Sequence, residues 1–341
     1  MADIPAYGAF CGLVLHVPFN IIFVRFFGFG FIGVAMATVL FQVVQPLFMA
    51  SYLVTNYGQR RLSSFSCRIG HTSWQSFRQV ISSSGILLYL RYAMPGIVLV
   101  TEWWASETII FLGGRLAKNP EFSLGAMGIY QSINTFCVMF PMGLSASCST
   151  QVGILLGKND YRGAALACRV SIVEAIALCT FISSILIIVP HSFLPALFTG
   201  NTYVIDEARK TIPFLAIYVI TDGLQVTLTG AIRGCGRQCT VVPVVLISYW
   251  MIGIPSSYII AFRGDLGTLG LVIGMTLGKW IHLSLLCLIF TLIIDWKKEA
   301  GYAQERSRIS IESNECLRKD YGSITANNNN KCSISSYLYL W

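Results

Sequence analysis

Four of the sixteen acidic residues in this 341-residue chain, Glu102, Glu107, Glu174 and Asp222, lie inside long apolar runs. On insertion scales an ionisable side chain in a lipid-spanning helix costs at least ~2.5–3.5 kcal/mol, so by default it faces a cavity, a relay or an ion path. In an apolar environment the neutral form of a carboxyl group gains on the charged one, and a second carboxylate nearby adds to the effect. Such a group can hold a proton near neutral pH or trade it for a cation. That is the chemistry of antiport, and it works only if the acids are not locked to basic partners throughout a cycle.

Glu102 belongs to Thr101-Glu102-Trp103-Trp104-Ala105-Ser106-Glu107 and follows Pro95-Gly96. Five residues separate Glu102 from Glu107, a rotation of ~140° on an ideal helix, so only one of them lines a given cavity wall. Trp103 beside Glu102 offers an indole face to an organic cation. Asp222 follows Tyr218 and precedes Gly223, Gln225, Thr227, Thr229 and Gly230, a strongly polar face for an apolar run. Gln131 and Asn134 share a helix face three residues apart. Trp103, Tyr130, Gln131, Asn134, Tyr218 and Gln225 form the expected cavity-lining set, with Glu102, Asp222 and Glu107 as proton or cation sites. Pro95 and Pro141 are expected to bend their helices. Glu174 is expected to serve structure, reaching Arg169 or the interface near a helix start.

Positioning these residues falls to an all-helical membrane protein. The chain is 55% hydrophobic and 12% charged, about half the charged fraction of an ordinary soluble domain. Eight apolar runs, about 6–24, 31–54, 84–112, 124–156, 165–190, 211–232, 240–262 and 268–294, are long enough as helices to cross a ~30 Å hydrocarbon layer. Lipid cannot satisfy a free backbone N–H or C=O, which makes helices the default for each span. The eleven cysteines are scattered singly and the four histidines are isolated, so no metal site is expected. No nucleophile–base arrangement or phosphate-binding loop points to an enzyme.

The net charge of +8 reads as topology. Of the basic residues in the loops or near the span ends, sixteen fall at 56–79, 158–169 and 233–237 and in the tail, against six on the opposite side. Positive charge favours the cytosol, which places the tail and the 56–79 loop there, with no nucleic-acid platform. The expected organisation is residues 1–55 as two helices, 56–79 as a basic cytosolic linker, 80–296 as a six-helix lobe, and 297–341 as a polar, disordered cytosolic tail.

Self-comparison pairs Pro18, Gly30, Gly33 and Gln42 with Pro255, Gly267, Gly270 and Lys279 at one constant offset of 237 residues. Each set spans a helix, a short Gly-containing turn and a second helix. If the first two spans correspond to the last two, the second bundle has six helices and the first shows only its last two. Parallel repeats of six-helix halves are a transporter architecture.

Over residues 6–298 the chain resembles the eukaryotic branch of the multidrug and toxic compound extrusion (MATE) transporters. The resemblance is carried by Glu102-Trp103-Trp104 with Glu107, by Gly230-Ala231-Ile232-Arg233-Gly234-Cys235-Gly236 with Asp222 eight residues before it, and by Gly157-Lys158-Asn159-Asp160. Ser132 stands where animal members carry a further Glu. The resemblance implies two six-helix lobes around a central cavity, in which organic cations or other amphiphiles leave as protons, or sodium ions, enter. It assigns Glu102 and Asp222 as cation and proton sites of the C-terminal lobe, with Glu107 nearby. It also implies that helices one to four of the family lie in a missing N-terminal segment of the same gene product. No bound cofactor is expected, only an ion gradient; the partners are a small organic cation or amphiphile and the lipid bilayer. Plasma membrane and vacuolar or other endomembranes stay open. The alternatives are a non-transporting membrane protein that serves as a scaffold or binds a full-length relative, and a lipid-linked saccharide flippase, for which a more cationic cavity is expected.

Overall fold

In a computed structural model of the protein, the described residues are 3–69, 83–116 and 119–308. Among them the chain is helical, with no strand. Eight helices are long and apolar enough to cross a membrane, one for each apolar run of the sequence. They are α1 (Asp3–Ile21), α2 (Gly30–Ile69), α3 (Ser83–Gly113), α4 (Pro120–Gly157), α5 (Tyr161–Ile188), α6 (Thr202–Gly234), α7 (Gln238–Arg263) and α8 (Gly267–Ile293). The protein is an integral, multi-pass membrane protein.

Helix starts follow local chemistry. Asn119 takes a left-handed conformation and Pro120 occupies the first turn of α4, where its missing N–H is no loss. Asp160 Oδ1 accepts from Gly163 N at 2.9 Å to cap α5, and Asn201 Oδ1 accepts from Tyr203 N at 3.0 Å to cap α6. Such caps satisfy donors that the first turn leaves without partners.

The chain divides into two compact units, Met1–Leu90 and Arg91–Trp341. In the first, α1 and α2 form a helical hairpin, with Phe41 packed over Gly12. α1 ends in a π-helical stretch, Ile22–Phe26, followed by Gly28 and Gly30 at φ 68° and 53°. The second unit repeats this corner at the offset of 237: α7 ends in a π-helical stretch, Ile259–Arg263, followed by Asp265 and Gly267 at φ 51° and 55°. Gly33 lies under the Phe23 carbonyl and Gly270 under Ile260 and Ala261, so a side chain at either position would clash with the preceding helix. The repeat legible in four residue pairs is thus a repeat of backbone conformation.

In the second unit α6 is central, packed on α4, α5 and α8. Its polar residues are accommodated within the helix: the hydroxyls of Thr211, Thr221, Thr227 and Thr229 donate to carbonyls three or four residues back. Small residues bring α4 and α6 into contact. A Cβ on Gly230 would stand 2.5 Å from the Ser145 carbonyl, one on Gly234 would stand 2.8 Å from that of Ser149, and Ser145 Oγ donates to Val226 O at 2.7 Å. The outer face of α5 carries exposed Leu166, Val173, Phe181 and Ile188, as lipid contact demands.

Two boundaries differ from the sequence expectation. The basic segment 56–79 begins as helix, since α2 continues to Ile69; residues 70–82 lie outside the described residues. Of the expected disordered tail 297–341, residues up to 308 are helical, completing α9 (296–308); the rest lies outside the described residues. Tertiary partners explain this order. Asp295 Oδ1 caps α9 at Lys297 N, and Arg237 Nε donates to the buried Glu299 Oε1 at 2.5 Å. The Arg237 guanidinium lies 5.5 Å from the Tyr302 ring centre, and Arg306 Nη2 donates to Cys235 O at 2.9 Å. Helix α9 is thereby fastened to the end of α6, with Arg306 against Gly236 at φ 77°.

Candidate functional site

A cavity of about 720 Å3 opens within the second unit, walled by α3, α4, α6, α7 and α8. Its polar centre is Lys279 of α8, almost fully buried. An ammonium has three N–H donors, and all three have acceptors here: Glu102 Oε1 of α3, Asp222 Oδ1 of α6 at 2.5 Å, and Gln225 Oε1 of α6 at 3.1 Å. The rings of Tyr218 and Tyr249 flank the ammonium at 5.3 and 5.2 Å, close enough for cation–π attraction.

Glu102 is held from several sides. Besides Lys279, Oε1 accepts from Tyr249 Oη at 3.0 Å, and Oε2 accepts from Gln225 Nε2 at 3.1 Å. Tyr249 Oη also lies 2.8 Å from His282 Nδ1. A phenol has a single proton; with that proton directed at Glu102, His282 must donate through Nδ1. The result is a continuous chain from His282 through Tyr249 to Glu102. Tyr249 lies in another π-helical stretch of α7, Leu246–Gly253, a winding that recurs at functional sites.

The charge balance of the centre is unequal. One ammonium faces two carboxylates, so the fully ionised cluster carries one uncompensated negative charge. A proton on either acid, or one further cation beside it, removes that charge. Arg233 also faces the cavity but lies eleven residues along α6 from Asp222, ~16 Å away on a straight helix, where its Nη2 reaches Ser145 Oγ at 3.4 Å.

A family model described as MatE matches residues 96–259. Protein DETOXIFICATION 16 of Arabidopsis thaliana is 30% identical over 305 residues, covering 89% of this chain and 59% of that protein. Protein DETOXIFICATION 36 of the same plant is 29% identical over 302 residues, covering 88% and 57%. The crystal structure of the eukaryotic MATE transporter AtDTX14 superposes with a TM-score of 0.73 at 26% identity, over 88% of this chain and 64% of that one. Over most of its length the chain is similar in sequence and fold to MATE transporters. It spans 57–59% of the length of these curated relatives.

Within this MATE-type bundle, most of the residues singled out from sequence meet at the cavity. Glu102, Trp103, Gln131, Asn134, Tyr218, Asp222 and Gln225 all line it. Trp103 is 46% exposed, and Gln131 Oε1 and Asn134 Oδ1 have no hydrogen-bond partner among the described residues. Two members of the set lie elsewhere. Glu107 is exposed and off the cavity wall, because the five-residue step from Glu102 turns it away. Tyr130 is not a cavity residue: it is buried in the core, its ring edge-on to Tyr218 at 6.2 Å. Pro95 and Pro141 lie inside α3 and α4, each continuous through its proline, and Pro141 packs beside Gly223.

Sequence reasoning missed Lys279, Tyr249 and His282 as site residues. For Lys279 a signal existed. It is the lone charged residue in the 27 residues of α8, and the rule that flags buried acids applies equally to a base. His282 follows three residues later, on the same helix face.

Proposed function

We propose that this chain forms the ion- and cation-handling part of a secondary antiporter, which exports organic cations or amphiphilic metabolites in exchange for protons. The observation that carries this reading is the single lysine shared by two carboxylates at the wall of a large cavity. Because Lys279 can compensate only one of the two acids, the centre stays one positive charge short when both are ionised. An organic cation against Trp103 and Tyr218 supplies that charge, and so does a proton. The two are therefore alternatives at one site, which is the requirement for exchange. Glu102 and Asp222 carry the exchangeable charge, Lys279 holds them close together, and Gln225 bridges Lys279 to Glu102. With one lysine for two acids, at most one of them is fully compensated at a time, which supports exchange at the other.

One-for-one exchange of a monovalent cation for a proton moves no net charge, so the pH gradient drives it; each pH unit supplies ~1.4 kcal/mol, about tenfold in substrate ratio. The test has two readouts on the full chain. Titration with tetraphenylphosphonium at two pH values follows occupancy of the cavity, and efflux of a fluorescent cation from proteoliposomes under a pH gradient follows exchange. Wild-type chain is expected to bind the cation more weakly in acid, and both Glu102→Gln and Asp222→Asn are expected to flatten that pH dependence. Unchanged pH-dependent binding in both variants overturns the site. PH-dependent binding without efflux keeps the site and rejects transport by this chain alone, which would favour a scaffold or partner role.

A further inference from the structure

A second cavity, of about 580 Å3, lies where the start of α5 meets the corner between α8 and α9. Its polar lining is Tyr161, Arg162, Arg169, Asp295, Trp296 and Lys297. Arg162 and Arg169 are seven residues apart, two turns along the same face of α5. Three cations thus face one groove. Its single carboxylate is already engaged: Asp295 Oδ1 accepts from Lys297 N at 3.1 Å, and Oδ2 pairs with Lys298 Nζ at 3.6 Å. Among the described residues, none of Arg162, Arg169 and Lys297 has an ion-pair partner. Glu174, expected to reach Arg169, makes no such pair; it lies five residues on, rotated by ~140°.

Arg169 sets the problem most sharply. It sits eight residues into an apolar span, ~12 Å from the helix start, and an arginine at that depth must direct its guanidinium toward the interface and find an anion there. The positive end of the α5 dipole lies at the same place. The groove is at the span ends whose loops carry the basic excess, the cytosolic side by charge bias. Trp296 and Tyr161 are aromatic groups of the kind that settle at headgroup depth. Along α5 the surface continues as exposed Leu166, Val170 and Val173, an apolar track for acyl chains that a soluble anion would not need.

We propose that this groove binds the headgroup of an acidic phospholipid, with the guanidinium groups of Arg162 and Arg169 and the ammonium of Lys297 on its phosphate. Planar guanidinium groups match phosphate oxygens in bidentate fashion. A phosphomonoester, which offers the greater charge, is the preferred headgroup class.

The test uses the full chain in nanodiscs. Retention of dioleoyl phosphatidic acid against dioleoyl phosphatidylcholine is measured by native mass spectrometry, with glycerol 3-phosphate as a soluble competitor. The wild-type chain is expected to prefer phosphatidic acid at least about tenfold. The Arg162→Gln/Arg169→Gln pair is expected to lose that preference, while Lys158→Gln, outside the groove, keeps it. A photoactivatable phosphatidic acid on the unmodified chain is expected to label peptides containing 161–169 and 294–297, a readout that does not depend on any variant folding. An undiminished preference in the paired variant, labelling confined to other segments, or equal competition by glycerol 3-phosphate, the mark of a free-phosphate site, would each overturn the proposal.

Discussion

Lys279 Nζ of α8 lies 2.5 Å from Asp222 Oδ1 of α6, and the same nitrogen donates to Glu102 of α3. Three helices far apart in sequence are joined at one atom. Removing the partner of a buried charge costs ~3–5 kcal/mol, so Lys279→Met is expected to lower thermal stability sharply. Adding Asp222→Asn is expected to recover part of the loss, giving a coupling of at least ~1 kcal/mol in a double-mutant cycle. Additive melting shifts would show that the ion pair does not join the helices.

Contact between α4 and α6 rests on absent side chains. Gly230→Ala places a Cβ 2.5 Å from the Ser145 carbonyl and is expected to cost ~1–3 kcal/mol as overpacking. Gly143→Ala, on α4 with nothing within 4 Å of its Cβ, is expected to be neutral or to stabilise by up to ~1 kcal/mol. Thermal melts of the two purified variants separate packing from general intolerance of alanine.

Tyr130 separates core from cavity. Its hydroxyl is buried and without a partner among the described residues, so Tyr130→Phe removes an unsatisfied group. Stability is expected to hold or rise by ~1 kcal/mol, and tetraphenylphosphonium affinity to stay within about twofold of wild type, within ~0.4 kcal/mol. A large loss of affinity would return Tyr130 to the cavity wall.

The seal of α9 over the end of α6 can be read by thiol chemistry. Cys235 lies just beyond α6; burial, reinforced by the Glu299 carboxylate, pushes its thiol up to about 12. It is expected to resist maleimide at pH 7, where exposed Cys239 reacts. Arg306→Ala removes the guanidinium that donates to the Cys235 carbonyl and is expected to open Cys235 to labelling, followed by peptide mass spectrometry. Equal labelling of both thiols in the wild-type chain would show that α9 does not cover this turn.

Much of the architecture was legible because hydropathy and lipid leave few choices: eight apolar runs became eight helices, and the paired Gly30 and Gly267 marked twin corners. Glu102 and Asp222 were legible for the same reason, since a charge in an apolar run needs an explanation. Lys279 obeyed that rule too, yet it entered the sequence reading only as the partner of Gln42 in the 237-residue repeat. Tyr130 adjoins Gln131, and a one-residue step of ~100° carries a side chain from cavity to core, a difference that sequence order does not display. Residues 297–308 read as tail because they are polar; their order depends on Arg237 and Cys235, 62 and 71 residues before their partners Glu299 and Arg306, and no local propensity reports that.

A helix closed by i→i+5 bonds holds one residue more in its turn than an α-helix does. The stretches Ile22–Phe26 and Ile259–Arg263 can therefore lose a residue and relax to ordinary winding without moving the glycine corner that follows. Such corners are natural sites for length change during descent from a duplicated ancestor. A deletion scan should find both hairpins tolerant there, and intolerant three residues past the turn, where Gly33 and Gly270 meet the preceding helix.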